Sequence, residues 1–240
     1  MDQKNKKHIR TLSIFFDTDI SLHEVPLFRG GTLNILGEEA NLLFHNHEAT
    51  GKYRYSYPLI QYKRLHGKAA IVSVDEGVDI IGHLLSKYEG TIKIGERIVP
   101  IHISKIVPAK ILVQTWKEPI NYHISNWLPL NAKNYLLFQN LNDEQEKLDF
   151  LSKILQANIL SMLKGFGIML SDELTVKINW LSEPRVIRYK GIGLTSFNAN
   201  FSCNLSIPNN LGIGKSASMG FGVVYQKRPE KTEETEEVEL

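Results

Sequence analysis

Between His8 and Ser104 the apolar residues change their spacing in an order that few folds can accommodate. His8–Asp17 (HIRTLSIFFD) is rich in β-branched and aromatic residues and predicts a strand. Val25, Phe28, Ile35 and Leu36 predict a helix over 25–36. Gly30 and Gly31 weaken it, at about 1 kcal/mol each relative to alanine. Tyr57–Leu65 and Lys68–Val74 predict two strands joined through His66-Gly67 as a hairpin. Val78, Ile81, Leu85 and Tyr88 then recur at helical spacing and Gly90 supplies a stop. Finally Val99, Ile101 and Ile103 alternate with Pro100, His102 and Ser104, the period of a strand. The order β-α-β-β-α-β is the split βαβ of a ferredoxin-like domain.

The second half reads as a looser version of the same plan. Tyr122–Leu130 predicts a strand, and Asn142 with Gln145 resembles a capping box. Leu148, Leu151, Leu155, Ile159, Met162, Leu163 and Phe166 make one apolar helical face, ended by Gly165 and Gly167. Strands are expected at Leu174–Leu181, Arg185–Tyr189, Thr195–Ile207 and Gly220–Gln226, with no clear second helix. The whole predicts an α+β protein with a boundary near Val107–Lys117: one domain over residues 1–107, a second over 118–228, and a tail over 229–240.

The formal charge of +2 hides an asymmetry. Residues 229–240 (PEKTEETEEVEL) hold six glutamates and one lysine, leaving 27 basic against 20 acidic residues in 1–228, a net of +7. The tail has no apolar periodicity and repels itself, so a solvated, disordered end is expected. The basic body suits a polyanionic partner. One cysteine, Cys203, can form neither an internal disulfide nor a multi-cysteine zinc site, which fits a reducing compartment. No apolar run approaches membrane-spanning length, so a soluble cytoplasmic protein is expected.

Two segments carry chemistry. The first is Gly212-Ile-Gly-Lys-Ser-Ala-Ser-Met-Gly-Phe-Gly222. Its glycines permit positive φ and close backbone approach, successive N–H groups in such a turn bind anions, and Lys215 adds a charge. A P-loop needs glycine where Asn209 stands and must lead into a helix, whereas Met-Gly-Phe-Gly-Val-Val-Tyr is strand-like. A dinucleotide fingerprint through Gly212, Gly214 and Ala217 fails on the same context. A purely structural tight turn and a nucleic-acid backbone site remain, and the second suits four glycines around a lysine better.

The second segment, Phe44–Tyr57 (FHNHEATGKYRYSY), gathers two histidines, three tyrosines and two cations. RNA cleavage without metal needs a base for the 2′-hydroxyl, an acid for the leaving 5′-oxygen and a donor to the phosphorane. His45 and His47 suit the first two roles; tyrosine or lysine suits the third. Two histidines two apart on a strand share a face and could bind metal, but no third ligand has motif spacing. The nuclease motif that the letters His-Asn-His spell spreads over a ββα unit and is not contiguous. The other histidines (8, 23, 66, 83, 102 and 123) are isolated and read as structural or exposed.

Together these motifs resemble one family, the CRISPR-associated endoribonucleases of the Cas-six type that process repeat RNA. The glycine segment resembles that family's C-terminal loop: Gly-hydrophobic-Gly, five residues including a cation, Gly-hydrophobic-Gly. Tyr189-Lys190-Gly191-Ile192-Gly193 and Asn204–Pro208 resemble the segment that leads into it. His45-Asn-His47 followed by Tyr55-Ser-Tyr57-Pro58-Leu-Ile-Gln61-Tyr62-Lys63 is similar to a branch whose active site lies in the N-terminal half.

The resemblance covers most of residues 8–228. It implies tandem ferredoxin-like (RNA-recognition-motif-like) domains and cleavage within repeats of a precursor RNA by 2′-hydroxyl attack, leaving a 2′,3′-cyclic phosphate and a 5′-hydroxyl with no cofactor or metal. It implies His45 and His47 as the acid/base pair and Tyr55 as phosphate donor, with Tyr53 and Lys52 beside it. Arg29, Arg185, Arg188, Lys190, Lys215 and Ser216, with Gly212, Gly214, Gly220 and Gly222, are the expected RNA contacts, while Phe221 reads as core. The alternative is a non-catalytic subunit holding a guide RNA in a CRISPR effector complex. Other effector subunits and a second copy of the chain are partners the resemblance leaves open.

Overall fold

The computed structural model describes residues 6–37, 57–189 and 191–227. The expected order appears in the first half: β1 (Lys7–Asp19), α1 (Val25–Leu36), β2 (Ile60–Leu65), β3 (Lys68–Val74), α2 (Glu76–Ser86) and, after an inserted hairpin β4 (Thr91–Ile94) and β5 (Arg97–Pro100), β6 (Ile103–Val113). The sheet order is β2-β3-β1-β6, all neighbours antiparallel. His66 and Gly67 both have positive φ, as the two-residue hairpin turn requires.

Local departures from the expected elements have physical reasons. The alternation at Val99–Ser104 spans two strands, because β5 ends at Pro100 and β6 begins at Ile103. Gly31 does not break α1: a Cβ there would lie 2.2 Å from the Lys93 carbonyl oxygen, so glycine lets the helix lie directly on β4.

The second half runs β7 (Thr115–Trp127), α3 (Ala132–Gln139), α4 (Glu144–Gly165), β8 (Val176–Leu181), β9 (Arg185–Tyr189), β10 (Ile192–Leu205) and β11 (Val223–Gln226). Its sheet order, β11-β7-β10-β8 with β9 paired to β10, repeats the first sheet's order. The chain is thus α+β, with tandem ferredoxin-like domains. Asp143, not Asn142, caps α4: its carboxylate accepts from the Glu146 N–H at 2.9 Å. α3 lacks an apolar stripe and buries no residue, which hid it from periodicity. Among the described residues nothing helical stands between β10 and β11; the glycine segment takes that place.

One core packs α1 and α2 against Ile14, Phe16, Ile60, Tyr62 and Ile71 of the first sheet. The other joins the opposite face of that sheet (Ile9, Ala70, Val72, Val74, Val113) to α4 and to Tyr122, Ile124, Phe197 and Phe201 of the second. Strand alternation therefore divides β1 and β3 between two cores. Cys203 is buried in the second, and burial pushes its thiol up to about 12, leaving it inert. No helix among the described residues is long and apolar enough to cross a membrane.

Candidate functional site

β2 is the edge strand of the first sheet, and the glycine segment covers that edge. The Tyr62 N–H donates to the Ser218 carbonyl at 2.9 Å, and Tyr62 pairs in parallel with Met219. Side chains reinforce the seam. Gln61 Oε1 accepts from the Gly212 N–H at 2.8 Å, the Tyr57 hydroxyl donates to the Gly212 carbonyl at 2.8 Å, and Lys63 Nζ donates to the Ala217 carbonyl at 2.8 Å. Gln61 is itself steadied by donation from Nε2 to the Pro58 carbonyl at 3.0 Å. Gln61 and Lys63 are both fully buried and share a face of β2 by strand alternation. Burial lowers the Lys63 amine to about 7, and burial raises the Tyr57 and Tyr62 phenols.

The glycines answer this crowding. A Cβ on Gly222, whose φ is +62°, would sit 2.0 Å from the Ile213 carbonyl oxygen. One on Gly212 would sit 2.5 Å from both Lys63 Nζ and the Ala217 carbonyl oxygen. Gly214 lies against Asn158 of α4, itself bonded to Trp127 Nε1, and Gly220 lies over Val25. Between these anchors the segment bulges only at Lys215 and Ser216: Lys215 is exposed, and a turn closes from the Met219 N–H to the Ser216 carbonyl at 2.9 Å.

Beside the bulge is an open groove of about 430 Å³, lined by Leu22, His23, Val186, Ile187, Arg188, Tyr189 and Phe221. Phe221 is buried, as expected, and packs edge-on against Tyr189, ring centroids 5.3 Å apart. Tyr189 also hydrogen-bonds Ser216; burial raises its phenol, and the nearby Arg29 charge opposes that rise. The fold thus brings Arg29, Arg188 and Ser216, far apart in sequence, around Tyr189 beside the glycine segment. Arg185 and Arg188 are both exposed but, three residues apart on β9, point to opposite faces. Lys190, His45, His47, Lys52, Tyr53 and Tyr55 lie outside the described residues. Sequence reasoning assigned no role to Tyr57, Gln61 or Lys63. The signal for the last two was a glutamine and a lysine two apart on one face of β2, where a buried polar group needs a partner.

Comparison with known proteins decides the family. The profile of the Cas6b N-terminal domain matches residues 7–111, and that of the Cas6b C-terminal domain matches residues 114–227. The chain belongs to the Cas6b family. A crystal structure of Cas6b superposes with a TM-score of 0.80 at 26% identity, matching 92% of this chain to all of that one. A second, of the CRISPR RNA processing endoribonuclease Cas6b, gives 0.68 at 25% over the same shares. The uncharacterized protein MJ0978 of Methanocaldococcus jannaschii is 45% identical over 104 residues, 43% of this chain and 69% of its own. In the Cas6b fold of this chain, the N-terminal strand motif and the C-terminal glycine segment meet in one seam.

Proposed function

We propose that this chain is a metal-independent endoribonuclease that cuts CRISPR precursor RNA within its repeats. The 2′-hydroxyl attacks the adjacent phosphorus, and the products are a 2′,3′-cyclic phosphate and a 5′-hydroxyl. His45 and His47 supply the base and the acid, and Tyr55, with Tyr53 and Lys52 beside it, donates to the phosphorane oxygens. Arg29, Arg188, Lys190 and Lys215 hold backbone phosphates, with Arg185 a further contact on the outer side of β9. The glycine bulge at Gly214–Ser216 presents N–H groups and the Lys215 ammonium to the same anion. A subunit that only held a guide RNA would have no use for the histidine pair.

One observation carries this reading. Tyr57, two residues past Tyr55 in the chain, donates directly to Gly212, so the histidine–tyrosine segment joins the fold at the glycine segment. Two solved structures of the family that resemble this chain, one of them a CRISPR RNA processing endoribonuclease, support it further.

The test is incubation of repeat-containing RNA with the protein in EDTA, beside a His45→Ala/His47→Ala double variant. The wild type should cut and the variant should lose at least about a hundredfold in rate while still binding RNA. RNA bound but left intact by the wild type would favour the guide-holding subunit. Equal cutting by both proteins would remove the histidines from the site.

A further inference from the structure

We infer that the face of the second sheet opposite α4, which none of the described elements covers, is a stacking platform for single-stranded RNA, distinct from the glycine-segment groove. α4 and the second core occupy one face of this sheet through Tyr122, Ile124, Phe201 and Cys203. Strand register places the next residues along on the other face, in rows. Trp180 of β8 pairs with Asn200 of β10, Asn200 with His123 of β7, and His123 with Tyr225 of β11. Trp180 and Tyr225 are 48% and 44% exposed. The His123 ring lies 6.4 Å from Trp180 at 27° and 5.0 Å from Tyr225 at 32°, so the three rings lean on one another in one stacked row, its two end members half exposed. His123 Nδ1 donates to Asn200 Oδ1 at 2.7 Å, which holds the middle ring in place.

The adjoining row, about 7 Å along the strands, is Lys177, Ser202 and Asn121, extended by Lys227, whose N–H donates to the Asn121 carbonyl. A cation therefore stands at each end of a line of neutral donors and acceptors. β8, β10 and β11 contain no carboxylate, and Glu118 is the single one in β7. The two rows contain no aliphatic side chain, which a protein partner would need for anchorage. Flat rings, amide and hydroxyl groups for base edges, and flanking lysines for phosphate fit an unpaired strand of RNA, whose bases each offer a π-face. The inference rests on RNA being this protein's ligand, and it adds a place for unpaired nucleotides that extend beyond the cleaved segment.

The experiment uses the full chain and a labelled ten-nucleotide RNA without secondary structure or repeat sequence, followed by fluorescence anisotropy. The wild type should bind. Trp180→Ala and Tyr225→Ala should each weaken binding about tenfold, Trp180→Phe should restore most of the loss, and a Lys177→Ala/Lys227→Ala variant should flatten the salt dependence. Thermal melting should not move in the ring variants, because both side chains are half exposed. No binding by the wild type, or equal affinity with and without the rings, overturns the platform; the second result would leave the face to a protein partner. Cleavage of repeat RNA is measured in parallel. Ring-independent oligonucleotide binding with repeat cleavage intact sinks only the platform, whereas ring-dependent binding with uncut repeat RNA sinks only the nuclease reading.

Discussion

Lys63 concentrates the conflict that holds this protein's seam together. A lysine with no exposed surface forfeits its hydration, and its one described hydrogen bond, to the Ala217 carbonyl, serves a neutral amine as well as an ammonium. Burial therefore lowers it to about 7 from 10.5. In the unfolded chain the same amine stays protonated up to about pH 10. Between those values the unfolded state binds more protons, so stability rises with pH and is lost as pH falls towards 7. The slope should approach about 1.4 kcal/mol per pH unit. Denaturant midpoints of the wild type from pH 7 to 9.5 should show this rise, and Lys63→Met should flatten it. A flat wild-type profile would mean that the amine is solvated. Lys63→Arg should be worse tolerated than Lys63→Met, since a larger, permanently charged head must fit where Gly212 already crowds Nζ.

Among the elements, the crossover from β10 to β11 shows most clearly how the second domain departs from the first. In the first domain α2 makes the equivalent connection; here residues 206–222 do so without a helix and cover the β2 edge instead. The connection keeps apolar packing through Ile207, Leu211 and Ile213 but replaces the helix ladder with backbone and side-chain hydrogen bonds to β2, and those require carbonyl oxygens to come closer than a Cβ allows. Gly222→Ala tests this directly. Its Cβ would meet the Ile213 carbonyl, whose residue donates its own N–H to the Gly222 carbonyl at 2.8 Å, and its φ is positive. The expected cost is about 2–4 kcal/mol, read as a fall in denaturation midpoint, with RNA binding weakened as the bulge shifts. Gly30→Ala in α1 is the contrast: nothing lies within 4 Å, so it should raise stability by up to about 1 kcal/mol. A neutral Gly222→Ala would show that the seam is loose.

The two domains have separate sheets but not separate cores. Ile9, Val72, Val74 and Val113 of the first sheet pack in the same cluster as Leu155 and Met162 of α4, Phe166 just past its end, and the inner face of the second sheet. The seam at β2 and the contact of the Lys7 ammonium with the Phe166 carbonyl at 3.2 Å bind the same halves again. Calorimetry of the full chain should therefore give one transition with equal calorimetric and van't Hoff enthalpies. Two resolved transitions would contradict the shared core. A truncated first domain should expose that apolar face and self-associate. The shared core therefore ties the half that carries His45 and His47 in its sequence to the half that carries the glycine segment.

Much of this was legible locally. Spacing alone placed β1, α1, the β2–β3 hairpin, α2 and β9 to within about three residues, because each has one clear apolar face or a turn that glycine chemistry dictates. It also marked the glycine segment and the histidine–tyrosine stretch as chemically loaded. α3, with no buried residue, and the β4–β5 hairpin, merged with β6 by a continuous alternation, left no separable trace. Distance along the chain was the larger barrier. That Gln61 and Lys63 grip Gly212 and Ala217, or that Trp180, His123 and Tyr225 form one row, follows from sheet order and register. Those are set by which faces find each other in the packed core, a property of the assembled chain that no window of sequence contains.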